Sequence, residues 1–150
     1  MPKAKLQTII SAIEMEITVE TNVKASADKV WKCFTEPAHI TKWNNASADW
    51  HCPAAENNLT VNGKFKFTMA AKDGSVSFDF SGVYTAVELH KLIEYTMDDG
   101  RKAKIIFTAN GDEIKISETF EAENENPAEI QKQGWQAILN NFKKYCETLK

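Results

Sequence analysis

Residues 126–150 read NPAEIQKQGWQAILNNFKKYCETLK, and the rest of the chain is organised around them. Ile130, Trp135, Ile138, Leu139, Phe142, Tyr145, Cys146 and Leu149 recur at helical spacing. Lys132, Gln136, Asn140, Lys143, Lys144 and Glu147 fill the opposite face. Asn126 is positioned to cap this helix, Pro127 suits its first position, and Glu129 lies three residues past the cap. About 24 helical residues at ~1.5 Å each would run roughly 36 Å, long enough to cross a small sheet. Such an apolar stripe needs something to pack on.

Upstream, the period changes to two. Met15, Ile17, Val19, Thr21 and Val23 alternate with polar residues, which predicts a strand with one wet face. Ser26 then suits a helix cap, and Val30, Trp31 and Phe34 form a short apolar stripe. Pro37 ends that helix and can open a second, burying Ile40 and Trp43. Residues 44–58 are the least regular part, an aromatic loop with room for a short strand around Trp50. Alternation returns with Phe65, Phe67 and Met69. After the Asp73-Gly74 turn, Val76, Phe78, Phe80, Gly82, Tyr84 and Ala86 share a face, with Val83 and Val87 as apolar exceptions. Strands at 92–97 and 103–108 follow. The last strand sets Ile114, Ile116, Glu118 and Phe120 on one face. Tight turns dictate antiparallel pairing, and helices segregate from strands. The expected class is therefore α+β: a sheet of six to seven strands, two short helices after the first strand, and a long C-terminal helix. Residues 1–13, with Leu6, Ile9, Ile10 and Ile13 at helical spacing, read as an arm or short helix ahead of a single domain at 14–150.

Composition narrows the function classes. A chain of 150 residues with 43% hydrophobic content can bury a core unaided. The net charge of −3 argues against a nucleic-acid partner. No apolar run reaches the ~20 residues of a membrane span. The basic start, broken by Gln7, Thr8, Ser11 and Glu14, does not read as a signal peptide, so a cytoplasmic location is expected. Cys33, Cys52 and Cys146 are odd in number without CxxC spacing, which fits reduced thiols.

The order of elements, with particular residues in it, resembles the helix-grip superfamily (START-like, SRPBCC, Bet v 1-like). Within it, the chain resembles the family named after activators of the heat-shock-protein-90 ATPase. The resemblance rests on Ile17 to Thr21, Val30-Trp31, Phe34-Thr35-Glu36-Pro37 and Ile40 through Trp43. It continues in Asn62-Gly63-Lys64-Phe65, Asp73-Gly74, Phe80-Ser81-Gly82-Val83-Tyr84 and Gly134-Trp135. Asn62 stands where the family often has glycine, and asparagine tolerates a left-handed backbone nearly as well. The resemblance implies a curved antiparallel sheet wrapped on the last helix, with a cavity between them. In the superfamily such cavities bind apolar molecules such as lipids and polyketides, and some members catalyse cyclisation or hydrolysis.

The residues that could carry chemistry lie on faces expected to point inward. Phe65, Phe67, Phe78, Phe80, Tyr84, Tyr95, Phe107, Trp135 and Phe142 either fill the core or line a pocket. The candidate ligand-binding set is Trp43, Trp50, Phe67, Phe78, Phe80, Tyr84, Tyr95, Phe107, Glu118, Gly134 and Trp135. Gly134, inside a helix at a cost of about 1 kcal/mol, allows close approach or leaves room for a ligand. Glu118 shares the inward phase, so it must be paired, protonated or facing a wet cavity. Pairing by Arg101 or a lysine, or a bulge turning it outward, is the structural alternative to a polar anchor or general base. Glu118, Tyr84 and His51 are the catalytic candidates. His51 and Cys52, with Asp49 and His39, match no metal-site spacing, and no cofactor motif occurs.

Three readings follow. The first is a protein that binds an apolar or amphipathic, lipid-like or polyketide-like small molecule between the last helix and the sheet. The second is an enzyme of cyclase, hydrolase or dehydratase type using the same space, with Tyr95 as a further acid–base candidate. The third, from the family's name, is a partner of the heat-shock-protein-90 chaperone.

Overall fold

A computed structural model describes residues 15–150; the arm expected at residues 1–13 lies outside them. Seven antiparallel strands form one curled sheet in the order β1-β7-β6-β5-β4-β3-β2. Strand β1 (Glu16–Val23) and strand β2 (Trp50–Asn57) therefore lie at opposite edges. The chain crosses between them through helices α1 (Ala27–Thr35) and α2 (Pro37–Trp43). Strands β3 (Lys64–Ala71), β4 (Ser77–Glu88), β5 (Leu92–Met97), β6 (Lys102–Asn110) and β7 (Glu113–Glu121) then step back to β1. Helix α3 (Ala128–Thr148) closes the grip. The fold is an α+β helix-grip.

Local chemistry explains most element ends. Ser26 caps α1 by accepting from the Lys29 N–H at 3.2 Å. The turns after β3, β5 and β6 contain Gly74, Gly100 and Gly111, all at positive φ. Asn62 has φ +71°, the left-handed conformation expected of it. A Cβ on the neighbouring Gly63 would stand 2.1 Å from the Asn58 carbonyl oxygen, so only glycine fits there.

Helix α3 holds the edge of β1. Gln136 donates to the Glu20 carbonyl at 3.1 Å and Lys143 to the Asn22 carbonyl at 2.6 Å. The Lys24 N–H donates to the Glu147 carboxylate at 2.8 Å. These bonds occupy an edge that would otherwise invite another strand. The second half of α3 buries Leu139, Phe142 and Cys146 in the same core as Val19, Val23, Val30, Cys33, Ile40 and Ile116.

Three local expectations change. The helix begins at Ala128 with Pro127 in the cap position, and Asn126 makes no side-chain cap. Instead Glu123 accepts from Asn126, and Gln131 reaches back to the Glu123 and Asn126 carbonyls at 3.0 and 2.8 Å. Much of the irregular loop at 44–58 is the eight-residue strand β2. Its register shifts between His51 and Ala54, and Pro53 sits in that irregularity on an edge strand, where a missing N–H costs least. A second bulge between Tyr84 and Ala86 shifts the phase of β4 by one. Val87 thereby pairs with buried Ile93 and packs on the core, which accounts for its place outside the simple alternation.

Candidate functional site

Under the first half of α3 the sheet and helices do not meet fully, and a pocket of about 220 Å³ remains. Cross-strand register builds its wall. Phe67 faces Phe80, Met69 faces Phe78, and Tyr84 faces Tyr95. Phe65 pairs with Gly82, and its ring lies over that glycine: a Cβ there would stand 2.9 Å from the ring and 2.4 Å from the Thr96 carbonyl oxygen. From that position the Phe65 ring touches Phe67, Phe80, Tyr84 and Tyr95, with centroids 4.9–5.7 Å apart. Trp135 of α3 stacks on Phe120 at 3.8 Å and meets Phe80 edge-on at 6.0 Å. Ile138 of α3, Phe34 of α1 and Trp43 of α2 complete the apolar lining with Ile93 and Ile105. Phe78 lines the pocket while 53% exposed, which puts it at the mouth.

Besides the phenols of Tyr84 and Tyr95, polar side chains among the described residues also line this space: Thr35, Asn44, Asn57 and Glu118. Tyr84 Oη donates to Asn57 Oδ1 at 2.5 Å, and Asn57 Nδ2 donates to the Thr35 carbonyl at 2.7 Å. Thr35 Oγ1 donates in turn to the Trp31 carbonyl at 2.7 Å. This chain ties strands β2 and β4 to the end of α1. Burial pushes the Tyr84 phenol well above its ordinary range.

Glu118 sits mid-strand in β7, between Val19 of β1 and Ile105 of β6. It is only 9% exposed. Among the described residues its carboxyl has no hydrogen-bond or ion-pair partner. Arg101 instead engages the Asp99 carboxylate at 2.8 Å and the Glu121 carbonyl at 3.1 Å. Burial pushes the Glu118 carboxyl up to about 8, so it is largely protonated at neutral pH. Burial also raises Tyr95 well above the usual phenol range, and a charge on Glu118 would raise it further. The Tyr95 hydroxyl and the Asn44 amide likewise make no side-chain hydrogen bond among the described residues.

Of the sequence candidates, Trp43, Phe67, Phe78, Phe80, Tyr84, Tyr95, Glu118 and Trp135 line the pocket. Trp50 does not, but packs on Phe78 beside the mouth at 5.9 Å. Phe107 lies in the core against Trp31 and Phe34, both at 5.3 Å. A Cβ at Gly134 would meet nothing within 4 Å, so neither close packing nor the pocket wall accounts for that glycine. His51 is exposed on β2, away from the lining. Among the described residues, no cluster of three His, Cys, Asp or Glu could hold a metal ion. Phe65 shares the phase of Phe67 and could have been added to the candidate set from the sequence. Phe34, Thr35, Asn44 and Asn57 carried no comparable signal, because only the chain crossing over the sheet brings them there.

The model of the Activator of Hsp90 ATPase homolog 1-like protein family matches residues 24–147. The chain belongs to this family. An AHSA1-like protein from Aeromonas hydrophila, solved by NMR, is 41% identical, with 89% of this chain and 92% of that one covered at a TM-score of 0.84. A Cytophaga hutchinsonii protein, also solved in solution, is 58% identical over 88% of this chain and 92% of its own, with a TM-score of 0.78. A Nitrosomonas europaea protein, 17% identical at a TM-score of 0.80 over 91% of this chain and 97% of its own, shares the fold. A search of curated proteins finds no match. The family's helix-grip fold is generally a ligand-binding fold. No helix among the described residues is long and apolar enough to cross a membrane.

Proposed function

We propose that the chain binds a compact apolar or amphipathic small molecule in the pocket beneath Trp135. One observation carries this reading: a buried carboxyl without a side-chain partner, Glu118, opens into a space walled mostly by aromatic and aliphatic groups. A purely structural core disfavours a carboxyl held largely out of bulk water with no side chain to pair it. A ligand that meets the carboxyl while covering the rings supplies the missing partner. The volume lies below the ~300–1,000 Å³ of drug-sized clefts, which favours a molecule of one or two rings over a long lipid chain. Native mass spectrometry of the protein from its source tests this directly, with displacement of a naphthalene-based dye as a second readout. The expected result is a bound small molecule, or a dye displaced by aromatic compounds. A protein that carries nothing and binds no dye would overturn the proposal.

A second reading is an enzyme of cyclase, hydrolase or dehydratase type in the same pocket. It is favoured by Glu118, Tyr84 and Tyr95 lining one cavity. A carboxyl whose pKa is about 8 can hold and deliver a proton near neutral pH. Screening aryl esters and β-hydroxy ketones checks this reading. Turnover lost in Glu118→Gln supports it; turnover unchanged in that variant sinks the assigned role.

A further inference from the structure

We infer that the pocket's ligand carries a basic nitrogen, and that Glu118 and the ring faces around it hold that nitrogen as an ammonium ion. The inference rests on the small-molecule reading above and narrows it to amines with a compact aromatic or cyclic body.

The charge pattern of the lining carries the argument. Among the described residues, Glu118 is the one acid in the lining, and no lysine, arginine or histidine accompanies it. A ligand carboxylate, such as a fatty acid's, would meet an acidic group with no counter-charge. A wholly apolar ligand would leave the Glu118 carboxyl buried without a partner. An ammonium group donates to the carboxylate in a charge-assisted bond. The aromatic rings of Tyr95, Phe80 and Trp135 line the same pocket, and a ring face met by the bound cation would favour the same positive charge. The Tyr95 hydroxyl, without a partner among the described residues, can accept a further N–H.

Among the described residues, no neighbouring element supplies a competing cation to the pocket lining. Strands β1 and β6 set Val19 and Ile105 beside Glu118, and α3 presents Trp135 and Ile138 to the pocket. The titratable groups facing the pocket besides Glu118 are the phenols of Tyr84 from β4 and Tyr95 from β5, both neutral near pH 7. The residues contributed by α1 and α2 are uncharged. Arg101 is taken up by Asp99 and the Glu121 carbonyl.

The proton balance follows. The empty site holds Glu118 as a neutral acid at neutral pH. When an ammonium ion binds, the carboxyl ionises, an N–H⁺···⁻O pair forms, and one proton leaves to solvent. Affinity for an amine therefore rises about tenfold per pH unit between about pH 6 and 8, then levels.

Calorimetric titration of the full chain with naphthylethylamine, naphthylethanol and naphthylacetate, which share one apolar body, tests this. Near neutral pH the amine should bind at least about tenfold tighter than the alcohol, with the acetate weakest. Titrations of the unsubstituted protein at about pH 6, in buffers of different ionisation enthalpy, should show close to one proton released per amine bound. This readout needs no variant. Glu118→Gln should remove both the preference for the amine and its pH slope. An amine that binds no tighter than the alcohol, or a preference that survives in Glu118→Gln, overturns the inference and leaves the small-molecule reading standing. Failure of all three compounds to bind overturns both.

Discussion

The two ends of α3 rest on the same sheet and meet different interiors. Toward its C-terminus, Phe142 is 0% exposed, with edge-on rings of Phe34 and Trp43 5.1 and 5.0 Å away, and Leu139 and Cys146 beside it are also fully buried. The polar atom that Trp43 brings there is paired: its Nε1 donates to the Cys33 carbonyl at 2.9 Å. Toward its N-terminus, Trp135 overlies a pocket that holds a carboxyl, a phenol and an amide with no side-chain partners among the described residues. The difference is one of side-chain volume and polarity. One end spends its residues on closure, while the other leaves space and a titratable group in it.

The largest expected effect is at the closed end. Phe142→Ala should destabilise the fold by about 3–5 kcal/mol, because the surrounding rings cannot collapse into the gap. Urea denaturation measures this. A loss below about 1 kcal/mol would mean that this end packs no more tightly than the pocket.

At the open end, Glu118 makes stability depend on pH. Its folded pKa of about 8 stands above the ordinary 4.5. Its contribution is fully present below about pH 4.5 and is lost as pH rises toward 8, because only the folded state retains the proton in that window. Glu118→Gln should therefore gain stability relative to the unsubstituted protein, by up to about 1.4 kcal/mol per pH unit across that window. Paired melts at several pH values report the difference. A difference that does not vary with pH would show that Glu118 is paired or solvated after all.

Gly82→Ala tests the pocket wall. The new methyl would stand 2.4 Å from the Thr96 carbonyl and press on the Phe65 ring, so either a strand or that ring must move. A loss of about 1–3 kcal/mol is expected, together with altered binding of an aromatic dye. Unchanged stability would place the Phe65 ring elsewhere.

The smallest effect is expected just outside the pocket. Ile130 belongs to the apolar stripe by spacing but is 56% exposed. Ile130→Ser should change stability by no more than about 0.5 kcal/mol in either direction. A larger loss would extend the packed interior by more than a turn toward the start of α3.

Much of this molecule was legible because its signals are local. The phase of β7 set Glu118 inward with Ile116 and Phe120, and all three are buried. Alternation along their strands places Phe67, Phe80 and Tyr84 on inward faces. Strand β2 was obscured because Trp50–Asn57 contains proline, two alanines and a bulge, and its strand character comes from pairing with β3. The cap of α3 departs from its local signal: an Asn-Pro pair resembles a cap, whereas Glu123 accepts from the Asn126 N–H and Gln131 reaches back to the Glu123 backbone.

By itself the sequence determined the order of elements, the faces they bury and the presence of an acid on an inward face, since spacing along a strand or helix fixes which side a residue takes. Only the tertiary structure decided what that acid meets. Whether Glu118 found Arg101, solvent or a pocket depended on how far the curled sheet stands from α3 and on α1 and α2 crossing above it. Those distances are set by packing between residues a hundred positions apart, which no local period records.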